Sequence, residues 1–394
     1  MKKAILLTIL MAMTLLLFAG QYTVNSNQNE VNLISTDAQS TILEMTLGHF
    51  EREAVRINND TYWALSLKKE GFSMETGMPQ LPYVTRSIII PGMAKMAFNV
   101  LESEYTDIVM PIVPSKGSFT RDIDPNTVAW SFDPFYQSDG FYPAELARLS
   151  ESFIIRDYRG ITVHFQPFVY FPATQTLRVY TRLKLSVNNI GTDNNNTMSA
   201  AKTSASAWFE GIYKGMFLNY NQAKYPVLDE FGRMLIVKNS MFNASLQPFI
   251  DWKRQKGFVV DVVDITTAGP TANQLKTYIQ NQYDMNTDLA FVQIIGDHAQ
   301  VPSLSSGGGA SDPSFGLLAG SDSYPDIFVG RFSAENVAEL ETQITRTLNY
   351  ELAMQTGNDW LAKGMGIASN EGGGGSGDLG ESDQVHIEYI RTDL

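Results

Sequence analysis

The residues of this chain that could do chemistry lie in a glycine-rich stretch near its carboxyl end. The stretch opens with IASNEGG (367–373) and closes with GESDQVH (380–386). These two segments carry one histidine and three carboxylates: His386, Glu371, Glu381 and Asp383. Because glycines let the backbone approach a ligand closely, the stretch predicts a ligand-binding or active-site edge. A phosphate cradle is disfavoured, because the stretch is acidic and lacks the Gly-Lys-Ser/Thr ending of a phosphate loop.

Two predicted elements would position these side chains. Residues 365–368 form a short apolar run that predicts a strand, and Ser382 or Asp383 can cap a helix through Val385 and Ile390. The order strand, loop, helix is typical of a ligand site in an α/β protein.

A second candidate set lies upstream. Asp297 and His298 follow an apolar strand, and Asp322 and Asp326 lie four residues apart in a loop. Three such carboxylates with loop carbonyls could supply the oxygens of a calcium site, although the spacing is not that of an EF-hand. The alternative is a turn with solvated carboxylates. For His298 we expect packing around the site and not catalysis.

The pattern after Gly232 alternates strands with helices. Predicted strands cover 234–237, 258–263 and 289–295, and predicted helices cover 246–256, 271–283 and, capped by Ser333, 335–350. This alternation predicts a parallel sheet with helices on both faces, in which ligands bind at the carboxyl ends of the strands.

Upstream, the pattern has period two and predicts an all-β sandwich. The clearest strand is 177–187, with 161–171 as its partner and 172–175 as the turn, and shorter strands are predicted at 84–90, 97–100 and 153–156. Polar residues 188–206 predict a linker, 209–220 a helix, and 221–226 an exposed connector in which Lys224 is a natural processing site. His49 and His164 are expected to be structural or surface residues.

Composition limits the function classes. With 394 residues and 44% hydrophobic content the chain should form two or three packed domains. A net charge of −13 argues against nucleic acid as a partner. The absence of cysteine removes disulfides, thiolate metal sites and a cysteine nucleophile from the printed residues.

The first residues predict a targeting signal. Lys2 and Lys3 precede an apolar run, 4–19, which ends in small residues at Ala19 and Gly20. We expect a signal peptide at 1–20, no later membrane span, and a secreted protein; the alternative is a single membrane anchor.

Several separate motifs resemble the gingipain family of secreted cysteine peptidases. They cover nearly all of the chain after the predicted signal, in the family's order: GMPQLP (77–82), VPSKG (113–117), FYPAE (141–145), IRDYRG (155–160) and FLNY (217–220) in the prodomain, then YPDIFVGRF (324–332), IASNEGG (367–373) and GESD (380–383).

The resemblance implies a β-sandwich prodomain followed by a caspase-like α/β catalytic domain, incomplete at its carboxyl end. The expected divisions are signal 1–20, sandwich 28–187, linker and prodomain tail 188–224, first catalytic subdomain 225–357, and the start of the second at 358–394. It implies an endopeptidase zymogen that cleaves protein or peptide substrates after basic residues, arginine above all. In the family a Cys thiolate attacks the peptide carbonyl and a His moves the proton. Both lie downstream of residue 383, so we expect this chain to be the inactive front part of a longer precursor.

The resemblance also assigns residues. Glu371 matches the acidic residue that orients the catalytic His, and Asp383 the carboxylate that receives the substrate's basic side chain. A first calcium site is matched by Asp297, Ala319, Asp322, Tyr324 and Asp326, and a second by Glu381 and His386.

The prodomain is expected to act as an intramolecular inhibitor. Arg121 would face Asp383 as a pseudo-substrate, against the alternative of a surface pairing with Asp122 or Asp124. The family's processing junction falls at Lys224 and Tyr225. One function of a different class remains open, that of a non-catalytic secreted binding or chaperone module.

Overall fold

The computed structural model describes residues 19–119, 123–198, 205–220, 227–228, 232–352, 362–368 and 382–393. These residues form an all-β region, 19–198, and an α/β region that begins at 232. Among the described residues, no helix combines the length and the apolar character that crossing a membrane requires.

The all-β region is a sandwich of antiparallel strands around one core. Its strands are β1 (Ala19–Thr23), β2 (Glu30–Thr36), β3 (Ser40–Thr46), β4 (His49–Ile57), β5 (Asp60–Ser66), β6 (Gly71–Phe72), β7 (Pro82–Ile89), β8 (Ala94–Val109), β9 (Ala147–Leu149), β10 (Phe153–Ile155), β11 (Tyr158–Phe165), β12 (Phe168–Phe171) and β13 (Thr176–Thr192).

Three sheets build the sandwich. One has the order β1-β4-β5, a second β10-β11-β7-β6 with β9 beside β11, and a third β12-β13-β3-β2 with β8 beside β13. Alternate residues of β13, such as Val179, Leu183 and Val187, are fully buried in the shared core, as period-two patterning requires. The predicted sandwich is therefore confirmed.

Two details of the sandwich differ from the sequence prediction. Residues 161–171 are not one partner strand. They belong to two strands in different sheets: β11 pairs with β7, and β12 pairs with β13. Residues 188–198 are not a free linker: β13 continues to Thr192, and Asp193 accepts a 2.7 Å hydrogen bond from buried Arg159. Side-chain alternation reports burial but not the identity of the neighbouring strand.

The α/β region follows a short connecting segment. The segment and the region contain β14 (Ala205–Ser206), α1 (Glu210–Met216), β15 (Val227–Leu228), β16 (Arg233–Lys238), α2 (Gln247–Gln255), β17 (Val259–Asp264), α3 (Ile265–Ala268), α4 (Ala272–Met285), β18 (Leu289–Ile295), β19 (Leu304–Ser306), β20 (Gly309–Ser311), β21 (Phe328–Phe332), α5 (Val337–Leu352) and α6 (Asp383–Asp393).

The predicted parallel sheet is confirmed, with order β17-β16-β18-β21. Successive residues of β16 point to opposite faces. Leu235 packs in the core that Leu275 and Ile279 of α4 join, whereas Ile236 packs in the core that α2 and α5 cover. Helices thus cover both faces, as the alternating pattern predicts.

Two local predictions near the sheet were wrong. Residues 363–368 are not a strand, and Met365 and Ile367 are 84% and 83% exposed, because no described strand pairs with this apolar run. The cap of α5 is not Ser333: Asn336 Oδ1 accepts the Glu339 N–H at 3.1 Å, and Ser333 donates to Asp297 instead.

Candidate functional site

The described end of the glycine-rich stretch is a capped helix. Ser382 Oγ accepts the Val385 N–H at 3.4 Å, so Ser382 is the cap and Asp383 is the first residue of α6. Asp383 is partly buried at this helix start, where aligned backbone dipoles favour a carboxylate. His386 lies one turn further along α6. Glu371 and Glu381 lie outside the described residues.

Asp297 lies at the carboxyl edge of the parallel sheet. It follows β18, and its Oδ1 accepts a hydrogen bond from the Ser333 hydroxyl at 2.9 Å. A backbone hydrogen bond from His298 and this Ser333 contact hold the pKa of Asp297 below its ordinary value. The neighbouring imidazole of His298 accepts the Ser303 N–H at 3.2 Å through Nδ1, so it orders the following loop.

Asp326 lies on the amino side of β21 and is fully buried. Its Oδ2 accepts the N–H groups of Leu318 and Ala319 at 2.7 Å each, and its Oδ1 accepts the Arg156 N–H at 2.8 Å. Burial nevertheless raises the pKa of Asp326 above its ordinary value. The carboxylate closes its own loop and binds the β sandwich at the same time.

Asp322 makes a similar contact. Its Oδ1 accepts the Tyr324 N–H at 2.9 Å, and its Oδ2 accepts the Ile154 N–H of the sandwich at 2.7 Å. Both loop carboxylates therefore face N–H donors.

The five residues expected for a first calcium site are not brought together. β18 and β21 run parallel with Phe291 beside Phe328 and Ile295 beside Phe332, so Asp297 follows one end of this pair and Asp326 precedes the other. Eight residues separate the two positions along this pair, so at about 3.3 Å per residue the two carboxylates lie roughly 25 Å apart. Within the described residues no group of three or more acidic or histidine side chains could hold a metal ion. These residues do not fit a shared calcium ion.

Arg156 is the residue whose role the sequence did not indicate. It lies between β10 and β11 with φ +48° and is 2% exposed. Its guanidinium donates to the carbonyls of Leu289, Asp326 and Thr287 at 2.7, 2.8 and 3.0 Å. The only sequence signal was its place in the IRDYRG motif.

Aromatic side chains surround this contact. Phe153 of β10 stacks on Tyr324 with ring centroids 4.2 Å apart, and Phe209, just before α1, lies 4.6 Å from Phe328 of β21. Gly160 makes the packing possible, because a Cβ there would lie 2.6 Å from Phe217 and 2.7 Å from Phe153.

The remaining candidates divide into two groups. His164 lies on β11, where burial and the charge of Arg148 lower its pKa to about 4, and His49 begins β4. Arg121, Lys224 and Tyr225 lie outside the described residues.

Comparisons with known proteins match the chain along most of its length. The Propeptide_C25 family model matches residues 20–217, and the Peptidase family C25 model matches residues 228–393. Gingipain R2 of Porphyromonas gingivalis is 34% identical over 369 residues, which are 92% of this chain and 50% of that protein. Gingipain R1 is 34% identical over 380 residues, 95% of this chain and 38% of that protein. Lys-gingipain is 27% identical over 342 residues, 81% of this chain and 19% of that protein.

The chain thus spans about half or less of the length of these curated relatives. Among solved structures, the complex of Porphyromonas gingivalis RgpB pro- and mature domains is similar with a TM-score of 0.46 and 29% identity, covering 50% of this chain and 100% of that one. The Arg specific cysteine proteinase gingipain R is similar with a TM-score of 0.37 and 36% identity, covering 41% of this chain and 38% of that one.

Proposed function

Because the chain belongs to the C25 peptidase family, we propose that it is the propeptide and the first part of the catalytic domain of a secreted cysteine endopeptidase zymogen. The enzyme would hydrolyse peptide bonds after basic residues, with arginine preferred. The observation that carries the proposal is the order of the two family matches, propeptide before peptidase, on a sandwich that contacts an α/β sheet.

The nucleophile is not among the printed residues, since they include no cysteine. We place the Cys and the His it works with in the part of the full-length enzyme that this chain does not span. Labelling the full-length protein after processing with a peptidyl-arginine chloromethyl ketone should modify one cysteine, identified by mass spectrometry. Modification of another residue type, or none, would refute a cysteine peptidase.

Asp383 is proposed as the carboxylate that binds the substrate's basic side chain. Its place at the start of α6 supports this role, because a partly buried carboxylate can accept a fork of hydrogen bonds from a guanidinium.

In the full-length enzyme, Asp383→Asn should lower kcat/KM for an arginine substrate on the order of 10- to 100-fold, as expected for losing charge-assisted hydrogen bonds. Glu388→Gln on the same helix removes an exposed charge and serves as the control. Equal kcat/KM values for the two variants would contradict the role of Asp383 in binding the substrate's basic side chain.

Glu371 is proposed to orient the catalytic His, and Arg121 to occupy the pocket of Asp383 in the latent form. Replacing Arg121 by Ala in the full-length precursor should release activity before processing. A precursor that stays as latent as the parent would contradict the pseudo-substrate role.

Processing is proposed at the Lys224–Tyr225 bond. Amino-terminal sequencing of the mature secreted protein should begin at Tyr225, and detection of the protein in the culture medium tests secretion. A mature protein that begins at another residue would contradict processing at the Lys224–Tyr225 bond.

Calcium remains a proposal for Glu381 and His386 alone, because the first set does not converge. A calcium ion bound there by oxygen ligands would stabilise the start of α6, which carries Asp383. Calorimetric titration of calcium into the full-length protein should give binding that Glu381→Gln weakens. An unchanged isotherm would exclude this pair.

A further inference from the structure

The turn between β10 and β11 reaches out of the sandwich into the α/β region. The Arg156 guanidinium is enclosed there by three carbonyls of the α/β region, those of Thr287, Leu289 and Asp326. Phe209 and Tyr283 lie 5.3 and 5.8 Å from it and cover it further. We call this set of carbonyls and rings the arginine socket.

The backbone of the turn is held as well as the side chain. Asp326 Oδ1 accepts the Arg156 N–H at 2.8 Å, and Asp322 Oδ2 accepts the Ile154 N–H at 2.7 Å. Arg156 adopts a left-handed φ of +48°, which a residue other than glycine holds only when its surroundings determine it. A buried, multiply hydrogen-bonded arginine with aromatic neighbours is the typical composition of an interface hot spot.

The socket lies at the amino edge of the parallel sheet. Leu289 is the first residue of β18, and Asp326 precedes β21. Ligand clefts of parallel sheets lie at the opposite, carboxyl edge, where Asp297 is found roughly 25 Å away. The socket contact is therefore distant from the edge where substrate and an inhibitory side chain would meet.

The segment that leads out of the sandwich supports the same contact. Phe209 stands 4.6 Å from Phe328, and Trp208 lies 5.0 Å from Phe291, so this segment covers strands of the α/β sheet. It precedes the proposed processing junction, so it stays with the propeptide after a cut.

We propose that Arg156 is a retention anchor, an interaction residue that keeps the cleaved propeptide bound to the catalytic domain and is separable from whatever blocks the active site. The inference takes the propeptide role from the proposed function, but the socket requires no catalysis. Truncating Arg156 leaves buried carbonyls without donors, so dissociation should accelerate. Lysine would restore the charge but not the planar fork, so it should rescue only in part.

The test uses the full-length precursor with a recognition sequence for a specific protease inserted after Tyr220. After the cut, the rate at which propeptide leaves is measured by size-exclusion chromatography or by mass on a surface. Arg156→Met should dissociate on the order of 30-fold faster or more, and Arg156→Lys at an intermediate rate. The matched control Arg178→Met, which loses a surface pair with Asp107, should stay within about twofold of the parent.

The outcomes distinguish a failure of the retention anchor from a failure of the proposed peptidase function. A parent-like rate for Arg156→Met overturns the anchor even if arginine substrates are cleaved. Fast release from that variant supports the anchor even if the enzyme proves inactive. If Arg156→Met does not fold, Arg156→Lys decides, and a parent-like rate there overturns the anchor. Before cutting, Arg156→Lys should be as latent as the parent, which a general loosening of the structure would not give.

Discussion

At the residue scale, two arginines of the IRDYRG motif, Arg156 and Arg159, bind different parts of the molecule. Arg156 leaves the sandwich, whereas Arg159 turns back into it and donates to Ala94 O at 2.7 Å and to Asp193 at 2.7 Å. Both are almost fully buried with their donors directed at fixed oxygens. The sequence could not distinguish them, because Arg is usually exposed and its partners lie dozens of positions away. The same limit explains why Asp193 was assigned to a linker.

The acidic candidates show the complementary limit. The pattern predicts Asp297 at the end of a strand and Asp322 and Asp326 in a loop, but residue spacing does not reveal which edge of the sheet each one occupies. Asp297 follows a strand and Asp326 precedes one, so the two meet different surfaces. Asp322 and Asp326 are also used by backbone N–H groups of the sandwich, which no local spacing encodes.

A prediction at this scale concerns Glu351. Burial would raise its pKa, but hydrogen bonds from Lys253, Lys256 and Trp252 outweigh burial and lower it to about 2. Since the unfolded value is about 4.3, the contribution to stability is complete above that pH and is lost as pH falls towards 2. With a side chain 18% exposed, solvent screening reduces the effect to about 1–2 kcal/mol.

The measurement is the free energy of unfolding of Glu351→Gln between pH 7 and pH 2.5. The variant should be less stable at neutral pH, and its difference from the parent should shrink below pH 4. Glu335→Gln, an exposed charge beside the same helix, is the control. A difference that is independent of pH would show that the ionised carboxylate is not the source.

At the element scale, strand and helix existence was predictable and pairing was not. Buried apolar runs located β16, β17 and β18 within one or two residues, because such runs are bounded by turn residues. The apolar run at 365–368 had the same composition but no described strand beside it, so it does not form a strand. A strand depends on its neighbour, and the neighbour is a property of the whole fold.

The cap of α5 gives a prediction of this kind. Asn336→Ala should lower the free energy of unfolding by about 1 kcal/mol, because the Glu339 N–H loses its acceptor. Asn336→Ser retains a side-chain acceptor and should stay close to the parent. Chemical denaturation measures both, and equal losses in the two variants would argue against capping.

The aromatic cluster around β11 gives a second prediction at the element scale. Gly160→Ala places a Cβ against Phe217 and Phe153, and the overpacking should cost about 1–3 kcal/mol. Gly211→Ala on α1 meets no atom within 4 Å and is the matched control. Thermal unfolding of both variants checks this, and equal melting temperatures would mean that the cluster relaxes freely.

At the scale of the whole molecule, the sandwich contacts the amino edge of the parallel sheet through buried hydrogen bonds. The carboxyl edge, where parallel sheets bind ligands, carries Asp297. A propeptide held in this way can carry one contact for retention and another for latency.

The proposed function is that of a cysteine endopeptidase zymogen selective for basic residues, of which this chain is the propeptide and the first part of the catalytic domain. Its most direct test is the hydrolysis of matched peptides carrying Arg, Lys or Ala before the reporter group, by the full-length precursor before and after processing. We expect no turnover before processing and, afterwards, rates in the order Arg, Lys, Ala that iodoacetamide abolishes. Activity that ignores the basic residue or survives alkylation, or no activity after processing, would contradict the account.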